Sequence, residues 1–168
     1  QGMHNLAIGP DGDVYFSNGD QIVGYGRGRS GVWDAWMHWT YFHGTKGTKV
    51  TGCGGVFRIS PDGEEFSVVA MGTRNSCGIA YDRAWNLFTT DNDHESRPVD
   101  FVPGRLLHVT PGAYFSWPRG WMTEKIPWRA DMLESMHPDV GRYVPTGMAY
   151  YDDTFLPAAC RHSLYVAE

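Results

Sequence analysis

Three observations in the sequence predict an all-β repeat architecture. The composition is the first: 21 Gly, 10 Pro and 14% aromatic residues favour turn-rich strands over helices. The second is the stretch Thr73–Asp93 (TRNSCGIAYDRAWNLFTTDND), in which two strand-like runs flank a short polar turn and read as a hairpin. The third is recurrence. Leu6-Ala7-Ile8-Gly9, a Pro10-Asp11-Gly12 turn and Val14–Asn18 repeat the pattern, as do Gly147–Tyr150 and Ser163–Glu168, at intervals of about 70 residues.

In chain order, the first unit opens with an inner hairpin whose strands A and B cover about 5–9 and 13–18. Gln21–Gly52 is a long excursion carrying Trp33, Trp36, Trp39, Tyr41 and Phe42, too apolar for a plain solvated loop, and it is expected to fold back over one face. Alternating apolar and polar residues then give strand C at 55–60, a Pro61-Asp62-Gly63 turn and strand D at 65–70. In the second unit A is 78–82, B is 86–91 and C is 104–110. Strand D is placed within Tyr114–Trp117, and Gly120–Arg142 forms an insert with a short helix around Arg129–Met136. The third unit supplies A and B alone, from Gly147 to Glu168.

Four antiparallel strands per repeat describe a β-propeller blade, whose apolar faces are buried against neighbouring blades. The organisation predicted is therefore a partial propeller over residues 1–168, with blades at about 5–72 and 78–142 and the start of a third at about 147–168. Two and a half blades cannot close a ring. The remaining blades of a six-bladed ring are expected as partners, and both termini read as cuts within a longer array.

The net charge of −5 is mild, and the basic residues are scattered, which argues against nucleic acid as a partner. No run approaches the ~20 apolar residues of a membrane-spanning helix. Cys53, Cys77 and Cys160 lack zinc or haem spacing. They read as buried thiols, with a Cys53–Cys77 disulfide open in an exported protein.

Antiparallel order places the starts of strands A and the ends of strands B on one face. His4, Arg74-Asn75 and Pro145-Thr146 precede strands A; Asn18-Gly19-Asp20 and Asp91–Glu95 follow strands B. The chemically capable clusters therefore converge at one mouth of the central channel, where ligand sites form. The opposite face receives turns that look purely structural. His4 reads either as a base or as a hydrogen-bonded structural residue. Arg74-Asn75 could hold a ligand or tie one blade to the next. Asp91, Asp93 and Glu95 form an oxygen cluster of the hard-cation type without the full calcium loop, or simply cap a loop. The Trp-rich excursion is either packing or a sugar platform.

Gly72-Thr73-Arg74-Asn75, Gly78–Asp82, Asn86-Leu87-Phe88 and Asp91–Asp93 together resemble the propeller of the soluble quinoprotein glucose (aldose sugar) dehydrogenases. Gly52–Arg58, Gly104–Pro111 and Ser116–Trp121 look most like a bacterial, membrane-bound branch of that superfamily. The resemblance implies oxidation of a sugar or related alcohol by hydride transfer to pyrroloquinoline quinone (PQQ). His4 would act as base, Arg74 and Asn75 would lie against the quinone, and Asp91 and Asp93 would help hold calcium. It also implies a periplasmic or extracellular setting, membrane attachment through other parts, and a cytochrome c as electron acceptor. The chain departs from the family in a shorter His4–Pro10 segment and in Cys77, where Gln is common. The rival reading is a non-catalytic propeller that binds carbohydrate or protein on the same face through the Trp-rich excursion.

Overall fold

The computed structural model describes residues 3–19, 25–28, 31–34, 40–43, 48–51, 54–93, 103–115, 141–142 and 144–168. Strands β1 (Met3–Ile8), β2 (Val14–Asn18), β7 (Gly54–Ile59) and β8 (Phe66–Thr73) form the first blade as an antiparallel sheet in that order. Between them lie two hairpins, β3 (Tyr25–Gly28) with β4 (Gly31–Asp34) and β5 (Thr40–His43) with β6 (Thr48–Thr51). The second blade pairs β9 (Ile79–Tyr81), β10 (Leu87–Asp91) and β11 (Arg105–Val109). The third hairpin is β13 (Gly147–Tyr151) with β14 (Ser163–Ala167). The three inner hairpins occupy three separate sheets, as a propeller requires. The short helix placed at Arg129–Met136 lies outside the described residues, as does most of the insert that holds it. Among the described residues no helix is long and apolar enough to cross a membrane.

The blades are joined by a shared core. Val56, Val69 and Ala70 of the first blade pack with Ile79, Leu87, Leu107 and Val109 of the second, and Ala7, Tyr15 and Tyr81 border the cluster. The far face of the first sheet holds Phe16, Phe57 and Phe66 in ring contact, with centroids 5.6–6.1 Å apart. On the third side Gly78 lets the second blade approach the third. A Cβ there would come within 2.9 Å of the Met148 Cβ.

Strand D of the second blade, expected within Tyr114–Trp117, differs from the expectation at its described end, and residues 116–117 lie outside the described residues. β12 (Ala113–Tyr114) does not continue the second sheet; it pairs in parallel with β8, Ala113 opposite Ala70 and Tyr114 opposite Met71. The Gly112 and Phe115 amides extend the contact by donating to the Val69 and Met71 carbonyls, at 2.7 and 2.8 Å. The second blade thus covers the outer edge of the first.

Among the described residues, five strand-connecting turns use a left-handed residue. Gly12, Gly63 and Gly112 fill that role at φ 84°, 77° and 82°, whereas the second and third inner hairpins place Trp85 (φ 64°) and His162 (φ 57°) there. A Cβ in this conformation costs about 1–2 kcal/mol.

Candidate functional site

His4 lies near the start of β1, and its side chain would naively share a face with Leu6 and Ile8. The register prevents this. His4 pairs with Ser17 and Leu6 with Phe16, so Asn5 is an extra residue, a β-bulge. Its side-chain oxygen accepts the Leu6 amide at 2.9 Å and satisfies a donor that the ladder leaves out. The bulge turns His4 onto the face of Ala7, which borders the second blade, while Leu6 and Ile8 stay 55% and 60% exposed on the other side. There the His4 Nε2 meets the Asn75 side-chain oxygen at 3.2 Å. An amide oxygen only accepts, so in this contact Nε2 is the donor.

Asn75 and Arg74 belong to the connection from β8 to β9, and Asp91 shapes it. The Asp91 Oδ1 accepts the Arg74 and Asn75 amides at 2.9 and 2.8 Å. Its Oδ2 accepts the Arg74 amide at 3.2 Å and the Arg105 Nη2 at 2.6 Å. Asp91 is wholly buried and Arg105 is 5% exposed. Burial pulls the Arg105 guanidinium below its ordinary value while the Asp91 charge opposes the shift. The Arg105 Nη1 also donates to the Phe115 carbonyl at 2.9 Å, which links the site to the β12 crossing.

The Arg74 guanidinium is half-buried and donates to the Asp93 carbonyl. Its other N–H donors have no partner among the described residues. Ser76 Oγ and Asn92 Oδ1, which flank the same turn, are buried without partners among the described residues. Cys77 is a free, buried thiol rather than half of a disulfide. Burial raises its pKa and the Asp91 charge adds to the effect, although Asn92 and Arg74 pull the other way. The thiol therefore stays protonated and is a poor nucleophile.

Of the residues singled out from sequence, His4, Arg74, Asn75, Asp91 and Asp93 gather at the junction of the first two blades. Asp91 stands beneath the turn, with both oxygens occupied by N–H donors, an arrangement that does not fit calcium ligation. Asp93 lies 5% exposed beside it. Among the described residues no three His, Cys, Asp or Glu side chains converge in a way that could hold a metal ion. Glu95 and the Trp residues of the 21–52 excursion other than Trp33 lie outside the described residues. Arg105 was missed as a site residue. Its signal was a cation in phase with Leu107 and Val109 on the inward side of a strand, which demands a buried carboxylate.

No protein-family model matches the chain, and no curated protein does. Solved structures do. The PQQ-bound aldose sugar dehydrogenase of Streptomyces coelicolor is 21% identical with a TM-score of 0.52, over 87% of this chain and 38% of that one. An oxidoreductase of Thermus thermophilus described as a glucose dehydrogenase is 20% identical with a TM-score of 0.59, over 96% of this chain and 43% of that one. A further glucose dehydrogenase is 16% identical with a TM-score of 0.54, over 98% of this chain and 66% of that one. The chain thus spans about two-fifths of the length of the first two. Separate antiparallel blades packed through shared cores, in the arrangement of these dehydrogenases, make this chain part of a β-propeller.

Proposed function

We propose that the chain supplies the junction of two blades in a quinoprotein oxidoreductase that oxidises a sugar or related alcohol. The observation that carries the reading is the contact of the His4 Nε2 with the Asn75 side-chain oxygen at 3.2 Å, between successive blades, which supports His4 as the base. The donor set beside it fits an anionic quinone: Arg74 has N–H groups to offer, and Ser76 and Asn92 hold buried polar atoms that need partners. When bound, PQQ supplies the acceptor for the hydride leaving the alcohol carbon.

The protein's own residues do the rest. Arg74 meets carboxylate or carbonyl oxygens with charge-assisted hydrogen bonds. Asn75 accepts from Nε2, which leaves Nδ1 as the nitrogen to take the substrate hydroxyl proton. Asp91 and Arg105 fix the turn that places both side chains. Asp91 is not assigned to calcium; Asp93 remains the candidate carboxylate, and no step depends on the metal. In this reading the substrate is a sugar or alcohol, the remaining blades close the ring, a cytochrome c takes the electrons, and the setting is periplasmic or extracellular.

The test is reconstitution of the complete protein with PQQ and calcium, followed by sugar-dependent dye reduction. His4→Ala should lose about 10²–10⁴-fold in turnover, the usual contribution of a general base, while the quinone's absorption change on binding persists. A complete protein that shows no spectral change on quinone addition would remove the enzyme reading and leave a carbohydrate- or protein-binding propeller.

A further inference from the structure

On the face opposite His4, a cleft of about 380 Å³ opens between the first and second blades. Its floor is apolar, from Val69, Leu87 and Val109. One wall is aromatic. Tyr15 meets Tyr81 edge-on at 5.6 Å and 86°, and Tyr81 meets Trp85 at 5.6 Å and 67°. Ser67, Asn86, His108 and Thr110 add hydrogen-bonding groups.

Trp85 is the anomaly. It occupies the left-handed place that Gly12 holds in the first inner hairpin, and 56% of it is exposed. The turn around it is complete without an indole. Asp82 accepts the Ala84 and Asn86 amides at 2.8 Å each, and the Trp85 amide donates to the Asp82 carbonyl at 3.1 Å. A glycine would do the backbone's work, and more than half of the indole remains open to a ligand. Backbone strain of this kind gathers at ligand sites.

Charge narrows the ligand. Arg58 lies 2.8 Å from Asp13, 3.5 Å from Asp11 and 3.9 Å from Glu65, so its charge is already met and offers little to an anion. Among the described residues no carboxylate lines the cleft, so a cation finds no counter-charge on its walls. The Tyr15 hydroxyl is committed to Asp11 at 2.8 Å, which leaves ring surface as that residue's contribution. A molecule with one C–H face and a periphery of hydroxyls uses all of this: floor, aromatic wall and polar rim.

We propose that this cleft binds a neutral sugar ring, with the Trp85 indole as its platform. The site is separate from the His4 mouth and does not rest on the dehydrogenase reading. The volume is at the small end of ligand pockets and suits one ring or two.

The test uses the complete protein without quinone and two probes, methyl β-D-glucopyranoside and methyl β-cellobioside. Their blocked anomeric carbons exclude them from sugar oxidation at that position. Indole N–H signals in ¹⁵N-labelled protein, with the Trp85 signal assigned by substitution, report the site. Saturable binding of at least one probe in the roughly millimolar range is expected for a ligand of this size. Trp85→Gly should bind about tenfold more weakly while its melting temperature holds or rises. Trp85→Phe should retain part of the affinity, and His4→Ala should bind like the wild type. The proposal is overturned if neither probe saturates, if Trp85→Gly binds unchanged, or if His4→Ala abolishes binding. Saturation by tetramethylammonium with no response to either glycoside would likewise overturn it, in favour of a cation cage.

Discussion

A carboxylate with no exposed surface needs its charge met by hydrogen-bond donors, and Asp91 finds two backbone amides and the Arg105 guanidinium. Removing the cation alone strands the charge. Arg105→Met should therefore cost about 3–5 kcal/mol, read from urea unfolding. Replacing both partners, as Asp91→Leu with Arg105→Met, should recover only part of that loss, because the Arg74 and Asn75 amides then lack an acceptor at about 1–3 kcal/mol. Full recovery in the double variant would show that Asp91 does not hold the turn. The same residue shows what sequence reading reached and where it stopped. Asp91 stood out as an acidic group at a strand end, which was right about place. Its partner was hidden because Arg105 looked like a strand's first residue. His4 was legible as a base candidate, but alternation alone puts it in phase with exposed Leu6 and Ile8. The bulge at Asn5 that reverses its direction depends on pairing with β2, which a single strand cannot reveal.

Among the elements, the inner hairpins were legible because the same pair of strand-like runs around a turn recurs at intervals of about 70 residues, and their strands fall within a residue or two of expectation. β12 was not legible. It is two residues long, and its partner lies far back in the chain, so no local pattern marks it. The second blade's inner turn makes a prediction at this scale. Burial alone would raise the Asp82 pKa. The Asn86 side chain, the Asn86 and Ala84 amides and nearby His108 outweigh it and hold the carboxyl below its ordinary 3.8. Asp11 is lowered likewise, against burial, by Tyr15, neighbouring amides and Arg58. For such groups the stabilisation is complete above pH 3.8 and is lost as pH falls through the lower, folded-state value. Urea midpoints should thus be flat near neutrality and drop below about pH 4. Asp82→Asn should start lower at neutral pH and converge with the wild type in acid.

For the whole molecule, the repeat was readable because apolar residues alternate on strands that need cover on two sides. Val69 and Leu107 face the second-blade core, while Phe16 and Phe57 face away from it. At the inner margin of the away face, Leu6 and Ile8 are 55% and 60% exposed. Alternation cannot say what covers such a face, only that something should. The 168-residue chain on its own is expected to self-associate through it, with sedimentation that rises with concentration. Leu6→Lys combined with Ile8→Lys should abolish that rise and leave the far-ultraviolet circular dichroism unchanged. Association that persists in the double variant would place the sticky surface elsewhere.

The crossing of β12 onto β8 also has a consequence in time. A ribosome delivers β8 well before residues 113–115, so the outer edge of the first blade emerges with open hydrogen-bonding groups. During synthesis the first blade is therefore a provisional structure. Its outer edge is paired only once the β12 segment has followed.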